Sequence, residues 1–125
     1  MIYLRYDELI YIAERAIGPD VVVRDHGLLE SALARLQASV FGRDAYPTLM
    51  LKAAALTHSL VRNHGLVDGN KRLGLSGLIA FLGLNGMSLT WTNDEAYEFI
   101  VEVASGALDE VSEIAERIER GSTRR

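Results

Sequence analysis

The segment from His64 to Arg72, called the motif below, combines several side chains that are suited to chemistry. It reads His-Gly-Leu-Val-Asp-Gly-Asn-Lys-Arg and joins two apolar runs, so its polar groups should be held between packed elements. Histidine has an ordinary pKa close to neutral pH and can accept a proton from a hydroxyl group. The motif therefore predicts a site that binds an anion and moves a proton.

The second half of the motif is suited to phosphate. Asn70 should lie at or just before the start of a helix, where free N–H groups and the helix dipole attract anions. Gly69 lets the backbone bend sharply, so that consecutive N–H groups can surround phosphate oxygens. Lys71 adds a point charge, and Arg72 adds a planar pair of donors. These properties predict that Gly69, Asn70, Lys71 and Arg72 bind phosphate.

Asp68 and His64 complete the predicted site. A carboxylate beside bound phosphates is suited to hold Mg²⁺ through one oxygen. A purely structural interpretation also exists, in which Asp68 and Gly69 belong to an ordinary turn before a helix and His64 marks the end of another. Each residue alone fits that interpretation, whereas the combination favours a phosphate site.

Length, composition and charge limit the class of protein. The 125 residues can form one domain, predicted to span residues 1–125. The absence of cysteine excludes disulfides and thiolate metal sites. Because we find no signal peptide and no apolar run long enough for a bilayer, we expect a cytoplasmic protein with no membrane contact. The net charge of −4 argues against direct nucleic-acid binding, and the cationic motif indicates a small anionic ligand instead.

Apolar spacing predicts that helices position the motif, in a compact all-α bundle of about six helices. The third and fourth predicted helices are the most apolar, so the motif between them should lie at the end of a central, buried pair. Gly74 and Gly77 should allow these two helices to come close together. The predicted helices cover residues 7–17, 27–38, 47–61, 70–84, 92–106 and 109–120.

The segments between the helices carry predictions of their own. Pro47 should be the first residue of the third helix, because proline is favoured at that position. Residues 41–46 are expected to form a loop, and residues 21–23 and 87–91 to form short extended pieces. The polar end, residues 121–125, is expected to fray.

The motif resembles the signature of the Fic/Doc (Fido) family. With Lys71 between Asn70 and Arg72, the motif resembles that of the Doc, or death-on-curing, branch. The AMP-transferring Fic branch usually has glycine at this position. The Fic branch also has a second arginine three residues after the first, and Leu75 stands at that position here. The resemblance extends to other parts of the chain, namely residues 25–34, 52–56 and 81–86.

Two residues of the motif depart from the pattern of this family. Gly65 stands where the family usually has proline, and it should make the loop more flexible. Leu66 stands where the family usually has an aromatic residue, and it should still anchor the loop in the core with less buried area. These two positions are where a difference in activity is expected.

The resemblance implies a compact Fido-type fold and the activity of a toxin from a Phd/Doc-type toxin–antitoxin system. Such a toxin is an ATP-dependent protein kinase, which transfers the γ-phosphoryl group to a threonine hydroxyl of elongation factor Tu and blocks translation. The implied partner is a Phd-type antitoxin, and ATP and Mg²⁺ are the implied substrate and cofactor. In this assignment His64 is the general base, Asp68 serves Mg²⁺ and alignment, and residues 69–72 hold phosphates.

Two alternatives stay open on the sequence. The first is a Fic-type AMP-transferase that acts on a protein hydroxyl, and the missing second arginine at Leu75 counts against it. The second is a catalytically weak or inactive Fido-fold binding partner, a possibility raised by Gly65 and Leu66.

Overall fold

The computed structural model describes residues 1–125, which form six helices and four short strands. The helices are α1 Tyr6–Ala16, α2 His26–Arg35, α3 Leu49–Arg62, α4 Asn70–Leu84, α5 Asn93–Ser105 and α6 Val111–Arg120. The strands are β1 Ser39–Val40, β2 Arg43–Asp44, β3 Met87–Leu89 and β4 Ser122–Arg124. The predicted all-α bundle is therefore confirmed. None of its helices combines the length and the apolar character needed to cross a membrane.

Helices α3 and α4 form the centre of the bundle. Buried residues occur on almost every face of α3, as its continuous apolar sequence predicts. The two helices come close because a Cβ atom added at Gly74 would clash with Val61, and one added at Gly77 would lie 3.0 Å from Leu60 Cδ1. The prediction that these glycines permit close contact is confirmed. The motif consequently lies at one end of the central pair.

The start of α3 differs from the prediction. Thr48 is the N-cap residue, and its hydroxyl accepts a hydrogen bond from Leu51 N at 3.2 Å. Pro47 therefore lies outside the helix, and its expected place as the first helical residue was wrong. Threonine is among the preferred capping residues, since its oxygen satisfies a free N–H group of the first turn.

The segment predicted as a loop at residues 41–46 instead contributes to a hairpin. Strands β1 and β2 pair antiparallel, with Ser39 opposite Asp44 and Val40 opposite Arg43. Phe41 and Gly42 form the turn between them, both with positive φ angles of 52° and 77°. Two consecutive positive φ angles are typical of the tight turns that fit the twist of a hairpin.

The C-terminal residues are ordered, so the prediction that they fray was wrong. Strand β4 pairs antiparallel with β3, which confirms the extended piece predicted near residues 87–91 for its first part. Further hydrogen bonds join Thr90 N to Gly121 O at 2.7 Å and Arg125 N to Gly86 O at 2.9 Å. The end of the chain is thus held beside the C-terminal end of α4, which is the end remote from the motif.

Candidate active site

A cavity of about 400 Å³ lies where α3 ends and α4 begins. Its lining includes Ile17 from the end of α1 and Ala104 from α5, which come from distant parts of the chain. The structure brings all the predicted site residues to this cavity: His64, Asp68, Gly69, Asn70, Lys71 and Arg72. The motif and its surroundings therefore form one candidate site.

The start of α4 provides the cationic side of the cavity. Gly69 is its N-cap residue, with a left-handed φ of 98°, and an added Cβ would lie 2.5 Å from Ile17 Cδ1. The backbone N–H groups of Asn70, Lys71 and Arg72 belong to the first turn and lack an acceptor within the helix. The side chains of Lys71 and Arg72 are exposed. This arrangement supplies consecutive donors and two positive charges beside one cavity.

The side chain of Asn70 is buried and holds the motif closed. Its Oδ1 accepts a hydrogen bond from Leu66 N at 3.0 Å, and its Nδ2 donates to Leu66 O at 3.1 Å. The amide side chain is thereby occupied by the backbone of the motif. Any contact of Asn70 with a phosphate would come from its backbone N–H.

The two residues that depart from the family pattern are both buried. Leu66 is 1% exposed and belongs to the hydrophobic core, which confirms its predicted anchoring role. A Cβ at Gly65 would lie 2.6 Å from Leu29 Cδ2, so the absence of a side chain lets the motif pack directly on α2. The carbonyl of Gly65 also accepts hydrogen bonds from Arg24 N and Asp25 N at 2.8 and 3.0 Å. These contacts fix the position of Gly65 against α2, and the greater flexibility expected from its residue type stays a prediction.

His64 lies just beyond the C-cap of α3, and its exposed side chain borders the cavity. Its φ of 54° is left-handed, a conformation that costs a residue other than glycine about 1–2 kcal/mol. Such strain often occurs at functional sites, where the surrounding structure maintains it. His64 accepts a hydrogen bond from Arg24 Nε through its backbone carbonyl, and its imidazole makes no hydrogen bond within the chain, so the ring can meet a ligand.

Asp68 immediately precedes Gly69, the N-cap residue of α4, and is exposed. Its Oδ1 accepts a hydrogen bond from Gly69 N at 2.9 Å, which orients the carboxylate at the edge of the cavity. The second oxygen has no hydrogen bond within the chain. One free carboxylate oxygen fits Mg²⁺, a cation that proteins commonly hold through one or two carboxylates together with substrate phosphates.

An extended segment of residues 22–25 runs alongside the motif. Val67 N donates to Val22 O at 3.0 Å, and Val23 forms a bridge with Leu66. The three consecutive valines predicted an extended piece here but carried no information about its partner. Arg24 is a residue of the site that sequence reasoning missed, because its side chain contacts the motif across a long separation in sequence.

Arg62 belongs to the cationic stretch of the sequence, but its side chain has other partners. Its Nη1 donates to Val103 O and to Asp109 Oδ1, both at 3.3 Å. His58 Nε2 lies 2.9 Å from the same Asp109 oxygen. The hydrogen bond with His58, aided by the charges of His58 and Arg62, holds the pKa of Asp109 below its ordinary value. This cluster connects α3 to the segment between α5 and α6.

The fold and the cavity together define a class of protein. It is a small helical protein in which a histidine follows the C-cap of one central helix and the next helix begins at a glycine-capped, cationic turn, with a carboxylate between them. The Fic/DOC family model matches residues 3–82, which include the whole motif. The chain therefore belongs to the Fic/Doc family, and the resemblance seen in the motif is confirmed.

A curated relative lies within the Doc branch. The chain is 46% identical to a protein named toxin Doc from Mycolicibacterium smegmatis over 110 residues, which cover 88% of this chain and 80% of that protein. The similarity therefore extends beyond the motif to most of both chains.

Proposed function

We propose that this protein is a toxin of a toxin–antitoxin system that transfers the γ-phosphoryl group of ATP to a threonine hydroxyl of elongation factor Tu. The observation that carries the proposal is the meeting of His64, Asp68 and the first turn of α4 on one cavity. The identity of 46% with a protein named toxin Doc supports the toxin assignment.

The first turn of α4 would bind the phosphates of ATP. Its free N–H groups and the positive end of the helix dipole attract the phosphate oxygens. Lys71 and Arg72 are exposed beside these groups and add two formal charges. When bound, Mg²⁺ would neutralise charge on the phosphates, and Asp68 would hold it through its free oxygen.

His64 would act as general base on the target hydroxyl. As the threonine oxygen forms a bond to the γ-phosphorus, the bond from that phosphorus to the β–γ bridging oxygen breaks. The hydroxyl proton passes to the imidazole of His64, and ADP is the leaving group. A positioned base accelerates such a step by about 10²–10⁴-fold, and the remaining acceleration comes from alignment and charge neutralisation.

Lys71 and Leu75 support phosphoryl transfer over AMP transfer. The Fic branch usually has glycine at the position of Lys71 and a further arginine at the position of Leu75. Here the first position carries a charge at the helix start, and Leu75, half-buried on α4, supplies none. The two positive charges of α4 thus both lie in its first turn, and the rest of the helix carries none.

The decisive experiment compares two labels. The purified protein, Mg²⁺ and elongation factor Tu are incubated with ATP labelled at either the γ- or the α-phosphate, and the mass shift of the target is measured. We expect transfer of the γ-label and a mass increase of one phosphate. The rate of this transfer should fall by about 100-fold or more in His64→Gln and in Asp68→Asn. Asp94→Asn, an exposed change at the start of α5, is the matched control and should retain activity.

Other results of the same experiment would identify the alternatives. Transfer of α-label and the mass of one AMP would instead establish a Fic-type AMP-transferase. No transfer of either label, with growth unaffected when the protein is expressed, would favour a Fido-fold binding partner without catalysis.

We further propose a Phd-type antitoxin as the partner of this protein. A toxin that blocks translation must be restrained in the cell that makes it, and the name of the curated relative fits such a pair. The test is to express this protein with and without a short reading frame that lies beside its gene. Growth arrest that the second frame relieves, together with isolation of both chains as one complex, is expected. Arrest that no adjacent frame relieves would contradict this partner.

A further inference from the structure

We infer that Arg24 is a positioning residue for His64, an inference that rests on the proposed role of His64 as general base. Arg24 donates hydrogen bonds to three consecutive carbonyl oxygens. Its Nε donates to His64 O at 2.8 Å, its Nη2 to Asn63 O at 3.3 Å, and its backbone N to Gly65 O at 2.8 Å. A single residue therefore holds the backbone on both sides of His64 and at His64 itself.

The end of α3 needs such a partner. The last carbonyl groups of a helix receive no hydrogen bond from an N–H group within it, and they carry the negative end of the helix dipole. A guanidinium group suits both conditions, because it is positively charged and presents several donors in one plane. Here the guanidinium reaches the carbonyl of Asn63, the C-cap residue of α3, and the carbonyl of His64 one residue beyond it.

His64 needs the contact more than an ordinary residue would. It has a left-handed φ of 54°, although it carries a side chain that disfavours this conformation. A hydrogen bond to its own carbonyl restricts rotation of the peptide group that follows it. The hydrogen bond from Arg24 goes to the backbone of His64, and the imidazole, which borders the cavity, makes no hydrogen bond within the chain.

Arg24 is itself well held, although its side chain lies at the surface. On one side of it, Val22 O accepts from Val67 N at 3.0 Å, and Val23 forms a bridge with Leu66. On the other side, Asp25 caps α2 by accepting from Leu28 N. The guanidinium therefore starts from a fixed backbone, as precise positioning of a base requires.

The test uses Arg24→Ala and Arg24→Lys in the full chain, with Arg120→Ala as the control. Arg120 is an exposed arginine at the end of α6, so its removal changes the net charge equally. The ring signals of His64 are followed by NMR, assigned with His64→Gln, with His58 as an internal reference. We expect Arg24→Ala to shift or broaden the His64 signals and to leave those of His58 unchanged.

The kinetic expectation is a selective effect on turnover. In Arg24→Ala, kcat should fall about tenfold while KM for ATP changes less than about twofold, because the phosphate-binding residues are untouched. Arg24→Lys should recover part of kcat, since an ammonium group can reach one of the carbonyls. Unchanged His64 signals, or kcat and KM altered by the same factor, would overturn the inference.

The two readouts separate this inference from the proposed function. If the wild-type protein transfers no group to any target, the function fails, yet the NMR signals still decide whether Arg24 positions His64. If transfer occurs and Arg24→Ala behaves as wild type in both readouts, the inference fails while the function stands.

Discussion

Asn70 and Leu66 are joined by a reciprocal pair of hydrogen bonds, in which the Asn70 amide contacts both the N–H and the carbonyl of Leu66. The pair is buried and closes the turn that carries Asp68. The Asn70 side chain thus supplies hydrogen-bond partners for two backbone groups of Leu66 that no backbone group pairs with. The geometry of the candidate site depends directly on this contact.

Asn70→Ala should lower the free energy of unfolding by about 2–4 kcal/mol, because it leaves two buried backbone groups of Leu66 without partners. Urea unfolding measures the change. Asn93→Ala is the matched control, since Asn93 is exposed at the start of α5, and it should cost less than about 0.5 kcal/mol. Equal unfolding midpoints for the two variants would contradict this account of the motif.

Gly65→Ala should destabilise the protein by about 1–3 kcal/mol, because the new methyl group would press on the buried side chain of Leu29. The same substitution is predicted to cost less in a Leu29→Ala background, where the methyl group has room. A double-mutant cycle in urea measures this coupling. Additive effects of the two substitutions would show that Gly65 and Leu29 are not in the close contact described.

The ion pair between Glu102 and Arg117 should make the free energy of unfolding depend on pH in the acidic range. The hydrogen bond from Arg117, at 2.9 Å, and its charge lower the pKa of Glu102 from the ordinary value of 4.5. A carboxylate whose pKa is depressed by folding contributes stability above its unfolded pKa and loses it as the pH falls through the folded value. The effect is small, because both side chains are partly exposed.

Glu102→Gln tests this pair. The variant should be less stable than the wild type near neutral pH, and the difference should disappear as the pH falls below the ordinary pKa of 4.5. Unfolding in urea is measured across that range. Glu116→Gln, an exposed change on α6, is the control and should show no such trend. A difference between wild type and Glu102→Gln that is constant with pH would argue against the ion pair.

Lys71→Ala should lower kcat/KM for ATP by about 10–100-fold in the transfer assay, because it removes a full charge from the phosphate-binding turn. Lys71→Arg keeps the charge and should retain more of the activity. Arg120→Ala again serves as the charge control and should behave as wild type. A kcat/KM for Lys71→Ala within about twofold of wild type would exclude Lys71 from phosphate binding.

The sequence by itself determined the features that depend on neighbouring residues. Thr92 and Glu95, three residues apart, form the capping box that starts α5, and the apolar run of α3 predicted its central place. The motif indicated where α4 begins and which side chains would gather there. Each of these signals lies within one or two turns of helix, where local geometry links residue type to structure.

Only the tertiary structure decided the contacts between distant segments. Arg24 reaches His64 across 40 residues, and β4 pairs with β3 although the polar C-terminal residues have no periodicity that predicts a strand. The close contact of Gly65 with Leu29 likewise joins two segments that are distant in the sequence. The physical reason is common to all three cases: pairing, close packing and hydrogen bonding across the chain depend on which surfaces meet, and a residue's type does not specify its partner.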